Sequence, residues 1–423
     1  MTHKQVSIDL PIVVAGAGAA GMMAAVFAAR ARTGPVVLLE GTRDGGRKIL
    51  ISGGGRCNVL PSVLDPARYV TASSPATMRN ILRSWPLAEQ REFFEAEIGL
   101  ELVLEPETGK LFPASGKARQ VRDGLLAAAV RAGAEIRFAT RLAGLERAGG
   151  TWRVLLDGAA PIEAAAVVLA TGGLSVPATG SDGTGLEIAR RLGHTIHPTY
   201  PALTPLTADP PVHAPLAGIS PVVTIEAPAG KRPFRTTGGF LFTHRGYSGP
   251  SVLDVSHLAV LSRMRGAARQ PVLVQWTELD GPGWEKIFGE GGQGTVANAV
   301  RRRMPQRLAD ALLEEAGVAL ETTLSHLTRE ARRRLVALLA RYPLPWTGDE
   351  GYRKAEVTGG GVALGEIDPR TMESRLHPGL FLCGELLDAF GPIGGFNFVW
   401  AWVTGRAAGM ACGHRADPSL RSE

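Results

Sequence analysis

The sequence predicts an α/β fold, a Rossmann-like domain interrupted by an inserted β-rich subdomain and a helical subdomain. Three observations predict it. A short apolar strand, a glycine turn and an Ala-rich helix follow one another within residues 10–32. A proline-crowded, strand-rich texture replaces that pattern from about residue 197 and gives way to Arg-rich helical stretches. The last segment returns to strand, glycine turn and helix.

Residues 10–15 read as a buried strand, residues 16–21 as a turn, and residues 22–32 as a helix stopped at Thr33, Gly34 and Pro35. Residues 35–40 are the next strand, which completes a βαβ unit. A glycine-rich loop spans residues 44–58. Residues 75–97 and 117–132 read as helical, the latter with Val121, Leu125, Leu126 and Val130 at helical spacing. Strand-like pieces surround Ile136, Phe138 and residues 153–156, and residues 163–170 form an apolar strand ending in Thr171, Gly172 and Gly173. Pro198, Pro201, Pro205, Pro210, Pro211 and Pro215 open the insertion, with β-rich patches at 222–225 and 240–243. Residues 295–343 read as helical, 355–364 as strand, 379–383 as the last strand, and 395–412 as the closing helix. The expected division is a first nucleotide-binding part at 1–196, a β-rich insert at 197–294, a helical part at 295–344, a return to the β-rich part at 345–366, and the second nucleotide-binding part at 367–423.

Of the 423 residues, 45% are apolar and 20% charged, which excludes a disordered chain. A net charge of +6 favours anionic ligands and tolerates nucleic acid without requiring it. Cys57, Cys383 and Cys412 form no C-x-x-C pair, which argues against a disulfide scaffold or zinc site; no other spacing suggests a metal, and a reducing cytoplasm is expected. Residues 11–29 carry no charge, yet Gly16, Gly18 and Gly21 interrupt them at dinucleotide spacing, so neither an export signal nor a membrane span is expected.

Gly16-Ala17-Gly18-Ala19-Ala20-Gly21 is a G-x-G-x-x-G turn between strand and helix, and Glu40 ends the following strand. Gly16 makes the turn, Gly18 admits a pyrophosphate, Gly21 lets the helix approach the sheet, and the amides at Ala19 and Ala20 open the helix toward phosphate charge. Glu40 would accept from ribose hydroxyls. A second literal match, residues 289–294, has no flanking strands and reads as a loop. FAD is favoured over NAD because further small-residue turns follow strands at Thr171, Gly172 and Gly173 and at Gly384 and Glu385. Gly394, Gly395, Phe396 and Asn397 then open a helix whose N-terminus suits the charge of a reduced flavin. Glu385 or Asp388 would take ribityl or ribose hydroxyls.

The chain resembles the BaiN/YhiN-like family of FAD-dependent oxidoreductases, within the glutathione-reductase-like flavoprotein superfamily. The resemblance rests on the first glycine turn, on Gly46-Arg47-Lys48 leading into Ser52-Gly53-Gly54-Gly55-Arg56-Cys57-Asn58, and on Gly180-Ser181-Asp182-Gly183. Phe242-Thr243-His244 with Ser248-Gly249-Pro250, the segment 357–362, Met372-Glu373-Ser374, and Gly384 through Asn397 extend it along nearly the whole chain. It implies an insert that is part β-barrel and part helical, and a reductase or dehydrogenase. The chain departs from the family pattern at residues 389–393.

Physically, residues 52–58 form a loop whose amides could make an anion nest; Arg56 would face pyrophosphate or substrate, and Asn58 the flavin edge. Cys57 reads as a redox thiol or, preferably, as a packed residue, having no resolving partner nearby. His244, with Arg245 and Tyr247, is the candidate acid/base; a satisfied structural histidine is the favoured alternative. His194 and His197 read as loop residues. The expected function is hydride exchange between flavin N5 and a small organic substrate with an activated C=C bond or a carbonyl, held between the nucleotide-binding domain and the insert, with NAD(P)H as transient reductant. Two alternatives are an RNA-modifying flavoprotein, using Arg301, Arg302, Arg303, Arg307, Arg329, Arg332, Arg333 and Arg334, which otherwise, and preferably, read as solvated helix faces partly paired with Glu314, Glu315 and Glu330, and a non-catalytic flavin-binding regulator.

Overall fold

The computed structural model describes residues 10–32, 34–230, 232–291 and 294–416. Thr33 of the predicted helix stop, and Gly292 and Gln293 of the second glycine match, lie outside them. The chain forms two units: one runs to Thr199 and resumes at Val357, the other is Tyr200–Glu356.

The first unit opens with β1 (Ile12–Ala15), α1 (Ala19–Arg30) and β2 (Val36–Leu39). It continues through β3 (Leu60–Pro61), β4 (Leu102–Glu105), β5 (Lys110–Pro113), α2 (Ala118–Arg131), β6 (Ala134–Arg137) and β7 (Ala166–Leu169). After the other unit come β8 (Leu380–Leu382) and α3 (Phe396–Ala416). The sheet order is β8-β7-β1-β2-β6. Every neighbouring pair is parallel, with Ile12 opposite both Ala166 and Val36. The strands β1, β2, β7 and β8 are buried at every position, which is why they read as continuous apolar runs rather than as alternation. The expected helix over 75–97 is broken at Pro86, because the residue before a proline is pushed out of the helical region.

The first and last helices of this unit meet backbone to backbone. Gly405, Gly409 and Gly413 recur every fourth residue on α3, on one face. A side chain at Gly405 would overlap the Ala20 carbonyl, and one at Gly409 the Ala24 carbonyl. The Ala-rich face of α1 supplies the matching flat surface. A smaller antiparallel sheet, β3-β5-β4, pairs Leu60 with Leu111 and Glu105 with Lys110.

The second unit holds two four-stranded antiparallel sheets. One contains 241–243, 246–248, 206–207 and 348–349, the other 234–239, 222–227, 273–275 and 342–343. Each has two separate edge strands, so the expected barrel does not close among the described residues. The chain leaves one sheet and enters the other at the buried Phe240. Helices Pro250–Met264, Gly281–Gly289, Val296–Arg301, Gln306–Glu315 and Arg329–Ala340 complete the unit. The first two of these fall where β structure was expected, although Pro250 and Pro282 in their first turns are helix-start signals. Among the described residues no helix is long and apolar enough to cross a membrane.

Candidate functional site

The C-terminal ends of β1, β2 and β7 bring the first glycine turn, Glu40 and Thr171 to one edge of the parallel sheet, where open α/β sheets bind ligands. A side chain at Gly21 would overlap the carbonyl oxygen of Gly16, so this position serves the close approach of helix to strand. Gly18 is different: a side chain there would meet nothing within 4 Å. It caps α1, whose first turn holds no acid and no side-chain cap, so the first amides are left for an outside acceptor. Glu40 is positioned by Ala17 N at 3.0 Å, Thr42 N at 2.9 Å and Thr42 Oγ1 at 2.8 Å. Thr171 Oγ1 is buried without a hydrogen-bond partner among the described residues, packed over Gly185. An open cradle at an uncapped helix N-terminus, with an acid at the next strand end, fits the pyrophosphate and adenosine ribose of FAD.

The second cluster joins segments far apart in sequence. Lys48 Nζ lies 2.7 Å from Glu385 Oε2 and 2.7 Å from Ser175 Oγ. Glu385 Oε1 accepts from Thr358 N at 2.9 Å and from Thr358 Oγ1 at 2.8 Å. Burial pushes the Glu385 carboxyl up; Lys48, Ser175 and Thr358 outweigh it and hold the group below the ordinary carboxylate range. Asp388 is committed elsewhere. Its Oδ2 accepts from Thr71 Oγ1, Ala72 N, Ser73 N and Ser73 Oγ, all within 3.0 Å.

The glycine loop before β3 is a short helix, Arg47–Ile51, followed by a turn over Ser52–Gly55. Arg47 bonds Asp44 at 3.0 Å and the Ala178 carbonyl at 3.1 Å. Gly46 precedes that helix in a left-handed conformation, and Gly53 and Gly54 share it. Arg56, expected to face pyrophosphate or substrate, pairs with Glu105 at 2.9 Å and lies 4.1 Å over the Phe112 ring. Cys57 is wholly buried and its thiol is pushed up to about 12 by burial, which suits packing rather than redox chemistry. Its partners in sequence, Cys383 and Cys412, are also free and buried.

At the other end, Gly395 touches β3: a side chain there would lie 2.7 Å from the Leu60 carbonyl carbon and 2.9 Å from Pro61 N. Asn397 closes the turn, its Oδ1 accepting from Gly391 N and its Nδ2 donating to Gly391 O, each at 2.9 Å. Phe396 packs edge-on against Tyr69. Gly172 and Gly384 are both left-handed turn residues, and Gly173 packs against Thr358 and Glu385.

In the second unit His244 and Tyr247 do not form one cluster. His244 is exposed on the turn between strands 241–243 and 246–248. Tyr247, on the strand, points its ring into the core, and its hydroxyl sits 2.8 Å from His213 Nδ1. His213 Nε2 is 3.1 Å from the Tyr342 hydroxyl, which donates to Glu315 Oε2 at 3.1 Å. Since Tyr342 has one hydrogen and gives it to Glu315, His213 carries its hydrogen on Nε2 and accepts from Tyr247. Sequence reasoning missed this chain because its members are scattered across the unit. It also missed His194, a loop residue as expected but buried, with Nδ1 at 3.0 Å from Glu366 and Nε2 at 3.0 Å from Ser374 Oγ. His197, expected in a loop, lies in strand 196–202. Among the described residues no cluster of acids, histidines and cysteines could hold a metal ion.

The profile of the HI0933-like protein Rossmann domain matches residues 10–411. The chain is 31% identical over 408 residues to a 3-dehydro-bile acid delta(4,6)-reductase of Clostridium scindens, covering 95% of this chain and 98% of that one. It is 32% identical over 394 residues to a ribosomal RNA dihydrouridine synthase of Escherichia coli, covering 92% and 94%. In fold it is similar to 3-ketosteroid delta1-dehydrogenase of Sterolibacterium denitrificans, with a TM-score of 0.52, 13% identity, and coverage of 96% and 99%.

Proposed function

From the chain's membership of the HI0933-like family, a family of FAD-binding oxidoreductases, we propose that it reduces a C=C bond conjugated with a carbonyl group. Two of its relatives have names that differ in substrate and agree in chemistry. A 4,6-diene conjugated with a 3-oxo group would take hydride at the β carbon or, through the extended conjugation, at the δ carbon, and the C5=C6 bond of uracil at its β carbon, each addition leaving an enolate that a proton completes. The observation that carries the cofactor half of the reading is the open space at Gly18 over an uncapped helix N-terminus.

Bound FAD would supply the centre that accepts and delivers hydride. The α1 amides would face its pyrophosphate, Glu40 its adenosine ribose, and the turn at Gly394 and Gly395 the pyrimidine end of the flavin. Glu385, fixed by Lys48, would orient the chain linking them. NADH or NADPH would reduce the flavin in a separate step.

The test is anaerobic. Purified protein should carry FAD, bleach with NADH or NADPH, and regain its yellow colour on addition of a 3-oxo-4,6-diene steroid or a uridine-containing ribosomal RNA fragment. Failure of every conjugated acceptor to reoxidise the bleached protein overturns the reading.

A specific observation favours RNA as the carrier of that bond. Arg301 pairs with Asp310, Arg303 with Glu278, Arg332 with Glu285 and Arg334 with Glu330. Arg307 bonds the Pro215 carbonyl. Arg302, Arg329 and Arg333 are exposed and make no ion pair among the described residues. RNA binding that weakens with salt and drops several-fold in Arg302→Gln/Arg329→Gln/Arg333→Gln supports this carrier; binding indifferent to both excludes it.

A further inference from the structure

We propose that Lys110 supplies the fixed positive charge beside the flavin's pyrimidine end and thereby raises the reduction potential of the bound cofactor. The inference rests on the reading that FAD spans from α1 to the turn before α3.

Sequence reasoning gave that role to the helix N-terminus alone and set Arg56 against pyrophosphate or substrate. The structure redistributes the charges. Arg56 is neutralised: its guanidinium bonds Glu105 at 2.9 Å and stacks 4.1 Å over Phe112. Lys48 is held by Glu385. Arg68 stands 4.9 Å over the Phe396 ring. Lys110 makes no hydrogen bond or ion pair among the described residues; Glu105, opposite it across the sheet, feels its charge but is already paired with Arg56.

Its position is set by three contacts. Lys110 is in β5, opposite Pro61 of β3 on one side and Glu105 of β4 on the other. The end of β3 touches the α3 turn, because a side chain at Gly395 would meet Leu60 and Pro61. Lys110 itself runs along that turn: a side chain at Gly394 would begin 3.5 Å from Lys110 Cε and 3.8 Å from its Cγ. The bare glycine therefore leaves room for the methylene stem, and the stem delivers the ammonium to the N-terminal end of α3. The amides there already favour negative charge. A full charge added at the same end opposes, in a partly screened site, the negative charge that the pyrimidine ring gains when the flavin takes up two electrons and one proton. Only the reduced form and an N5 adduct carry that charge, so Lys110 would favour both over the oxidised form.

The experiment uses the FAD-loaded full chain. Sulfite, which adds to flavin N5 and leaves the same charge on the pyrimidine ring, is the probe, beside a spectroelectrochemical titration. For Lys110→Gln the sulfite dissociation constant should rise roughly tenfold and the midpoint potential fall by about 30 mV, the two-electron equivalent of that factor. Lys110→Arg should stay within about threefold of the wild type, and the exposed Lys117→Gln should not move either value. If Lys110→Gln leaves both within twofold, or Lys117→Gln shifts them equally, the assignment to Lys110 is overturned while the FAD reading stands. If Lys110→Gln cannot hold FAD, the Lys110→Arg titration decides: wild-type values support the proposal, and values shifted tenfold overturn it. If the wild type takes up no FAD, both fall.

Discussion

Lys48 and Glu385 lie 337 residues apart in sequence and 2.7 Å apart in space. The pair ties the helix after the first glycine loop to the turn after β8, with side chains 28% and 17% exposed. Lys48→Met leaves a largely buried carboxylate short of its counter-charge and should cost about 1–3 kcal/mol, somewhat below the range for fully buried pairs. Because the folded Glu385 carboxyl is held below its ordinary value, its stabilisation is complete above the unfolded value of about 4.3 and is lost as pH falls through the folded one. Urea melts of the wild type and Lys48→Met from pH 7 to pH 3 check this. The variant, already less stable at pH 7, should decline less steeply than the wild type below about pH 4.3, because without Lys48 the folded carboxyl no longer sits as far below its unfolded value; profiles of equal slope would show that the pair does not set the acid loss.

Gly18 and Gly21 should separate ligand binding from folding. Gly18→Ala places a methyl group where it meets nothing within 4 Å, so the FAD-free protein should unfold within about 0.5 kcal/mol of the wild type. FAD affinity should fall at least about tenfold, as the methyl group intrudes on the phosphate cradle. Gly21→Ala should lose about 1–3 kcal/mol whether or not FAD is present. Equal loss of stability in both variants would remove Gly18 from the binding site.

The contact between α1 and α3 makes a packing prediction. Gly409→Ala forces the α3 backbone off the Ala24 carbonyl and should cost about 1–3 kcal/mol, with a lower Tm by calorimetry. Gly289→Ala, where a side chain meets nothing, is the control and should be neutral or slightly stabilising. A Gly409→Ala protein as stable as the control would mean the helices shift apart freely.

Three histidines predict acid sensitivity. Burial pulls His194, His213 and His257 below the usual value, His257 to about 4. In the unfolded chain each binds a proton near pH 6.5, so the unfolded state takes up protons first as pH falls. Stability should therefore decline below about pH 6.5, with His257 contributing up to about 3 kcal/mol by pH 4. His257→Gln should flatten that slope in denaturant melts; an unchanged slope would assign the acid loss to other groups.

The parts of the site that were legible in the sequence are the local ones. Strand, glycine turn, helix and Glu40 fall within one short segment, so their spacing carries their geometry. The pairing of Arg56 with Glu105 was not legible because the two meet only through the small sheet, and Lys110 had no local signature at all. Tyr247 sits on a three-residue strand, too short for alternation to say which side chains turn inward. The barrel expectation came from resemblance, and strands of two residues such as 206–207 and 348–349 gave the sequence no way to test it.

The seam between α1 and α3 also has a temporal side. More than 360 residues separate Arg30 from Phe396. At roughly 5–20 residues per second, a ribosome needs on the order of tens of seconds to make the helix that covers the Ala-rich face of α1. Until then the nascent nucleotide-binding half has neither its lid helix nor the edge strand β8, so its assembly awaits the synthesis of α3, and a chaperone that shelters an apolar alanine surface would find its longest opportunity there.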